Sequence, residues 1–138
     1  MKKKAYLFDS HALVFWNNRE SVSEEFIAFF DSQVQKGQLY VSSASFWEIA
    51  LLVKKGRMSM PDVHGWKNEI LSNTSIRLID PSVSELINST LLPDHHKDPF
   101  DRLLIAQATQ NSLLIVTRDS SIDKYEAVSY THLTLPTN

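Results

Sequence analysis

Asp94-His-His-Lys-Asp-Pro-Phe-Asp-Arg-Leu-Leu-Ile-Ala-Gln-Ala-Thr-Gln-Asn-Ser-Leu-Leu-Ile-Val-Thr-Arg-Asp119 holds a helix start, an apolar helical face and a short strand in succession. Asp98 can cap the helix, and Pro99 suits its first position, where a missing N–H costs nothing. Asp101 falls in the first turn, near the positive end of the helix dipole. Leu104, Ile105 and Ala108 follow Asp101 by three, four and seven residues, so helical spacing puts Asp101 at the end of the face that turns inward. A carboxylate there is costly without a partner. Leu113–Val116 then reads as a short buried strand, with Thr117, Arg118 and Asp119 at its carboxyl end. In parallel α/β sheets ligands bind at that edge, so two acids point to one location.

Upstream, the chain repeats the alternation. Ala5–Phe8 is a short apolar run ended by Asp9, and a helix begins at Ser10. Residues 21–36 read as an amphipathic helix, with Ser21 and Glu24 as a capping box and Gly37 just past its end. Leu39–Val41 is a second strand. Ser42, Ser43 and Ser45 offer caps for the helix containing Phe46–Val53, in which Glu48 is the only polar residue. A helix apolar on nearly all sides is buried, and an unpaired buried carboxylate shifts its pKa or recruits a cation. A helix from Pro61 to Asn73, a strand at Ile76–Ile79 and a helix through Val83, Leu86 and Ile87 complete the series before Leu91–Pro93 breaks it. Strands alternating with helices predict an α/β domain: a central, mostly parallel sheet of about four to five strands, flanked by helices.

The totals exclude several classes. At 138 residues, with 43% hydrophobic and 22% charged residues, the chain suits one globular domain, expected over residues 1–128. A net charge of −2 argues against nucleic-acid binding by overall positive charge, though not against a local basic rim. The absence of cysteine excludes a disulfide framework, a thiolate zinc site and a cysteine nucleophile. No apolar run approaches the roughly 18 residues of a membrane span, and Lys2-Lys3-Lys4 precedes only a short one, so no membrane partner and a cytoplasmic location are expected. Residues 129–138 fit no element and resemble a translated sequencing adapter, so they are set apart as an atypical tail.

Asp9, Glu48, Asp101 and Asp119 therefore stand out, each at a strand's carboxyl edge or on an inward helix. Clustered carboxylates without cysteine favour a hard cation with oxygen ligands, Mg²⁺ or Mn²⁺, able to acidify a water and stabilise charge on a phosphoryl group. Each acid alone could equally be a cap or an ion-pair partner. Asp94-His95-His96 shares its letters with a phosphoesterase motif but follows Leu91-Leu92-Pro93 rather than a buried strand, and His11 stands where a dehalogenase-type phosphatase needs a second Asp.

Five segments carry a family resemblance: Tyr6-Leu-Phe-Asp-Ser-His-Ala-Leu13, Ser45-Phe-Trp-Glu-Ile-Ala50, Lys55-Gly56-Arg57, His96-Lys-Asp-Pro-Phe-Asp-Arg-Leu-Leu-Ile-Ala-Gln-Ala108 and Val116-Thr-Arg-Asp119. Spread over nearly all of residues 4–128, they resemble PIN-domain proteins, in particular VapC-type toxin ribonucleases. The resemblance implies a metal-dependent endoribonuclease using Mg²⁺, or Mn²⁺ in its place, with Asp9, Glu48, Asp101 and Asp119 as catalytic and metal-holding acids. Ser10 and Thr117 match supporting hydroxyl positions; Asp98 is mainly a cap, and Asp123 a candidate outer acid. Lys55, Arg57, Lys97 and Arg102 are candidates to contact the RNA backbone. The family also implies a homodimer and a small VapB-like antitoxin partner whose C-terminal part enters the acidic groove. The alternatives are a housekeeping RNA-processing nuclease of the same type and a catalytically silent RNA- or protein-binding module.

Overall fold

The computed structural model describes residues 4–94 and 97–117, with the backbone of residues 129–130. Its strands are β1 (Tyr6–Phe8), β2 (Leu39–Ser42), β3 (Arg77–Ile79), β4 (Leu114–Val116) and β5 (Ser129–Tyr130). They form one sheet in the order β3-β2-β1-β4-β5, with every neighbouring pair parallel. The first strand is thus central: Tyr6 sits in register with Leu39 on one side and Leu114 on the other. The chain builds outward from β1 through β2 to β3, then crosses back to add β4 on β1's other edge. That reversal of direction opens a crevice at the carboxyl ends of β1 and β4.

Strand alternation divides the core. Tyr6, Phe8, Leu39, Val41 and Val116 belong to one cluster with Leu13 and Trp16 of α1 (Ser10–Asn18), Phe26, Phe30 and Val34 of α2 (Glu24–Gln35), Ile49 of α3 (Ser43–Lys54) and Ile70 of α4 (Val63–Asn73). Phe8 is fully buried, with its ring 4.9 Å from that of Phe30. Truncating either to alanine would cost about 3–5 kcal/mol. Leu7 and Ile115 point the other way, into a cluster with Leu104, Ile105 and Ala108 of α6 (Pro99–Asn111). The remaining helix, α5 (Val83–Thr90), packs on α6, where Asn111 donates to the buried Glu85 at 2.9 Å. Both faces of the sheet are covered, as the near-continuous apolar strands require.

Several local expectations shift. Ser23, not Ser21, caps α2, accepting from the Phe26 N–H at 3.0 Å, while Ser21 lies in the left-handed region at φ 61°. A capping box does occur, on α5, where Ser82 and Glu85 bond each other's backbone N–H. Helix α3 is not buried all round: only Ala44, Ser45 and Ile49 are buried, and Trp47 is 62% exposed, because a single face meets the sheet. Ser129–Tyr130, expected to join no element, pairs in parallel with Ile115–Val116; the ladder, not an apolar pattern, defines that strand. Among the described residues no helix is long and apolar enough to cross a membrane.

Candidate active site

The crevice is a cleft of about 270 Å³ lined by Asp9, Ser10, His11, Phe15, Glu48, Asp98, Asp101 and Thr117. Four stretches of chain supply these groups. Asp9 ends β1 and caps α1, accepting from the Ala12 N–H at 2.7 Å, while its own N–H donates to the Val116 carbonyl of β4 at 3.2 Å. The cap therefore fixes the carboxylate at the sheet edge. Asp98 caps α6, accepting from the Phe100 N–H at 2.9 Å, and Pro99 follows at the first position, as the sequence predicts. Asp101 sits in the first turn of α6, half-buried, and Thr117 lies buried beyond β4.

Glu48 enters from the middle of α3. Ser10, only 1% exposed, donates its hydroxyl to Glu48 Oε1. Burial pushes the Glu48 carboxyl above the ordinary glutamate range; the Ser10 hydrogen bond and the nearby His11 pull it back, while the charges of Asp98 and Asp9 push it further up. Like charges meeting in a partly desolvated cleft favour the protonated form unless a cation relieves them.

Three of the four expected acids, Asp9, Glu48 and Asp101, thus line one cleft with both expected hydroxyls, Ser10 and Thr117. Asp119, Asp123, Arg118 and the His95-His96 pair lie outside the described residues. Asp98, assigned chiefly to capping, both caps and lines the cleft. His11 and Phe15 had not been assigned to the site. Their separation of one helical turn directly after Asp9 was the available signal, and their rings lie 6.1 Å apart. Lys55, Arg57 and Lys97 are exposed. Arg102, the fourth candidate, is held in place. Its side chain is 12% exposed, and the guanidinium donates to the carbonyls of Ser89, Leu92, Pro93 and Thr90 at 3.1, 2.9, 3.2 and 3.5 Å. It closes the carboxyl end of α5.

The cleft offers carboxylate and hydroxyl oxygens, the donor chemistry of a hard divalent cation. Among the described residues no three His, Asp or Glu side chains gather into a ready metal-binding group. A cation that keeps several of its waters fits such a spacing, and the charge crowding at Glu48 is what it would relieve.

The family model for the PIN domain matches residues 6–128. No curated protein matches the chain in sequence. Among solved structures, the DNA-bound VapBC of Salmonella typhimurium is similar with a TM-score of 0.69 and 13% identity, over 94% of this chain and 98% of that one. FitAcB from Neisseria gonorrhoeae gives 0.63 and 17%, over 91% and 96%. A toxin–antitoxin complex from Klebsiella pneumoniae gives 0.62 and 17%, over 92% and 97%. At these identities the likeness is one of fold.

Proposed function

Because this chain belongs to the PIN-domain family, we propose that it is a Mg²⁺-dependent endoribonuclease, with Mn²⁺ able to substitute, acting as the toxin of a type II toxin–antitoxin pair. The observation that carries the reading is the cleft itself: Asp9, Glu48, Asp98 and Asp101, from three separate elements, all line it beside the carboxyl ends of β1 and β4. Capping accounts for Asp9 and Asp98, but not for Glu48 and Asp101 facing the same cleft. The fold neighbours that are toxin–antitoxin assemblies support the toxin assignment and a VapB-like antitoxin as partner. On this reading the protein acts in the cytoplasm on RNA.

The residues divide the work. Asp9, Glu48 and Asp101, with Asp119, would hold the cation, which when bound supplies positive charge against the scissile phosphate and acidifies water. Ser10 orients Glu48 and, by donating to it, partly offsets the upward push of burial on its carboxyl. The Asp9 cap bond keeps that side chain from swinging to solvent. Thr117 offers a buried hydroxyl at the floor of the cleft. Lys55, Arg57 and Lys97 would meet backbone phosphates, positioning without reading sequence. The exposed apolar row Val83, Leu86, Ile87 and Leu91 on and just beyond α5 supports a homodimer.

Purified protein should cut RNA with Mg²⁺ or Mn²⁺, stop on chelation, and lose cleavage on Asp101→Asn substitution. Equal cleavage by the Asp101→Asn protein, with contaminating ribonuclease removed, would overturn the site.

A further inference from the structure

Trp47 is the one large aromatic among the described residues left mostly in solvent, at 62% exposed, whereas Trp16 is buried and Trp66 half-buried. It is not loose. Its ring meets that of Phe100 at 5.0 Å between centroids, inclined by 68°. The two come from different helices, α3 and α6, and each neighbours an acid of the cleft: Trp47 precedes Glu48, and Phe100 precedes Asp101. The pair therefore bridges the two helices beside the acids. An inclined contact covers only part of an indole and fixes its plane, leaving much of the ring open to a further planar partner.

We propose that Trp47, held by Phe100, is a stacking platform for an unpaired nucleobase, placing a single-stranded segment so that its phosphate reaches the acidic cleft. This rests on the ribonuclease reading above and adds the side chain that would seat the strand, a base stacked on Trp47. Three observations favour a base over an apolar protein segment. The next residue along each helix, Glu48 and Asp101, lines the acidic cleft, a polar border that an apolar segment would have to desolvate. The exposed cations Lys54, Lys55 and Arg57 end the same helix, and Lys97 stands just before α6, so a polyanion finds positive charge on both flanks. Every base presents a π-face, whereas duplexed bases are already stacked on both sides.

The test uses full-length protein carrying Asp101→Asn to hold RNA uncut, with oligoadenylate as the single strand and the same strand annealed to oligouridylate as the duplex. Tryptophan fluorescence should be quenched by the single strand, and the single strand should bind more tightly than the duplex. Adding Trp47→Ala should weaken single-strand binding by roughly tenfold, abolish most of the quenching and erase the preference. Trp47→Phe should recover most of the affinity. Because Trp47 is exposed, circular dichroism should show the fold intact. Unchanged single-strand affinity in Trp47→Ala overturns the proposal, as does equal loss on both RNA forms. Loss of a protein partner with RNA affinity kept would overturn it in favour of protein docking. Cleavage by the unmutated acids with no effect of Trp47 leaves the nuclease reading standing and removes the platform. Single-strand preference without any cleavage does the reverse.

Discussion

Ser10 and Glu48, 38 residues apart, are joined by a hydrogen bond that links the first turn of α1 to the middle of α3. The hydroxyl is the main group holding the carboxyl's proton affinity down against burial. Removing it by Ser10→Ala should raise the Glu48 pKa further. If cleavage needs ionised Glu48, its acid limb moves to higher pH while the alkaline side changes little. A pH–rate profile of the two proteins checks this; coincident acid limbs would exclude the role given to Ser10.

Glu48 should also burden the empty fold. Its raised pKa means that the folded chain holds the proton more tightly than the unfolded chain does. The stability gained is present in full below the unfolded value near 4.5 and is lost as pH rises through the higher folded value. Glu48→Gln, which keeps an oxygen for Ser10 to donate to, should therefore narrow the stability difference between pH 4.5 and pH 7.5 in metal-free protein. Thermal melts at both pH values measure it, and the same variant should fail to cut RNA.

Metal binding should stabilise the fold without any reference to activity. A cation held by the folded cleft but not by the unfolded chain adds about 2.7 kcal/mol of stability at a hundredfold excess over its Kd, so the melting temperature rises with concentration. Mg²⁺ and Mn²⁺ titrations should show this in the unmutated protein and much less in Asp101→Asn. Identical shifts in both proteins would place the ion elsewhere.

Arg102 should matter to stability. Arg102→Lys offers one compact ammonium where a planar fork now meets four carbonyls, so several lose their donor. A loss of about 2–3 kcal/mol in urea unfolding is expected for Arg102→Ala, and a smaller one for Arg102→Lys. RNA binding by the folded fraction should be affected little.

If α5 carries a homodimer contact, Ile87→Glu should separate the subunits while leaving each folded, since Ile87 is 56% exposed. Sedimentation velocity distinguishes the two states, and an unchanged sedimentation coefficient would move the contact off this helix.

The parts of the fold that were legible in the sequence are those with local causes. Asp98-Pro99 announces α6 through cap and dihedral chemistry, and the apolar runs at β1, β2 and β4 announce buried parallel strands. The cleft was legible in outline for Asp9, Glu48 and Asp101, because each acid interrupts an apolar pattern. What could not be read depends on tertiary partners. Ser23 and Ser21 offer the same hydroxyl, and only the backbone path decides between them. The carbonyls that claim Arg102 come from the last turn of α5 and the turn after it, 9 to 13 residues earlier in the chain, and nothing in the helical pattern of α6 reveals that they fold back onto this side chain. Trp47 looked like core because α3 is apolar in composition, whereas its ring meets Phe100 and stays 62% exposed.

The central place of β1 has a consequence for synthesis. A strand made from residues 6–8 waits for its second neighbour until residues 114–116 have left the ribosome, so the edge that carries Asp9 stays unsupported through most of translation. Any chemistry the acids perform is thereby deferred until residues 114–116 have emerged and paired beside β1, so the cleft is among the last parts of the sheet to be assembled.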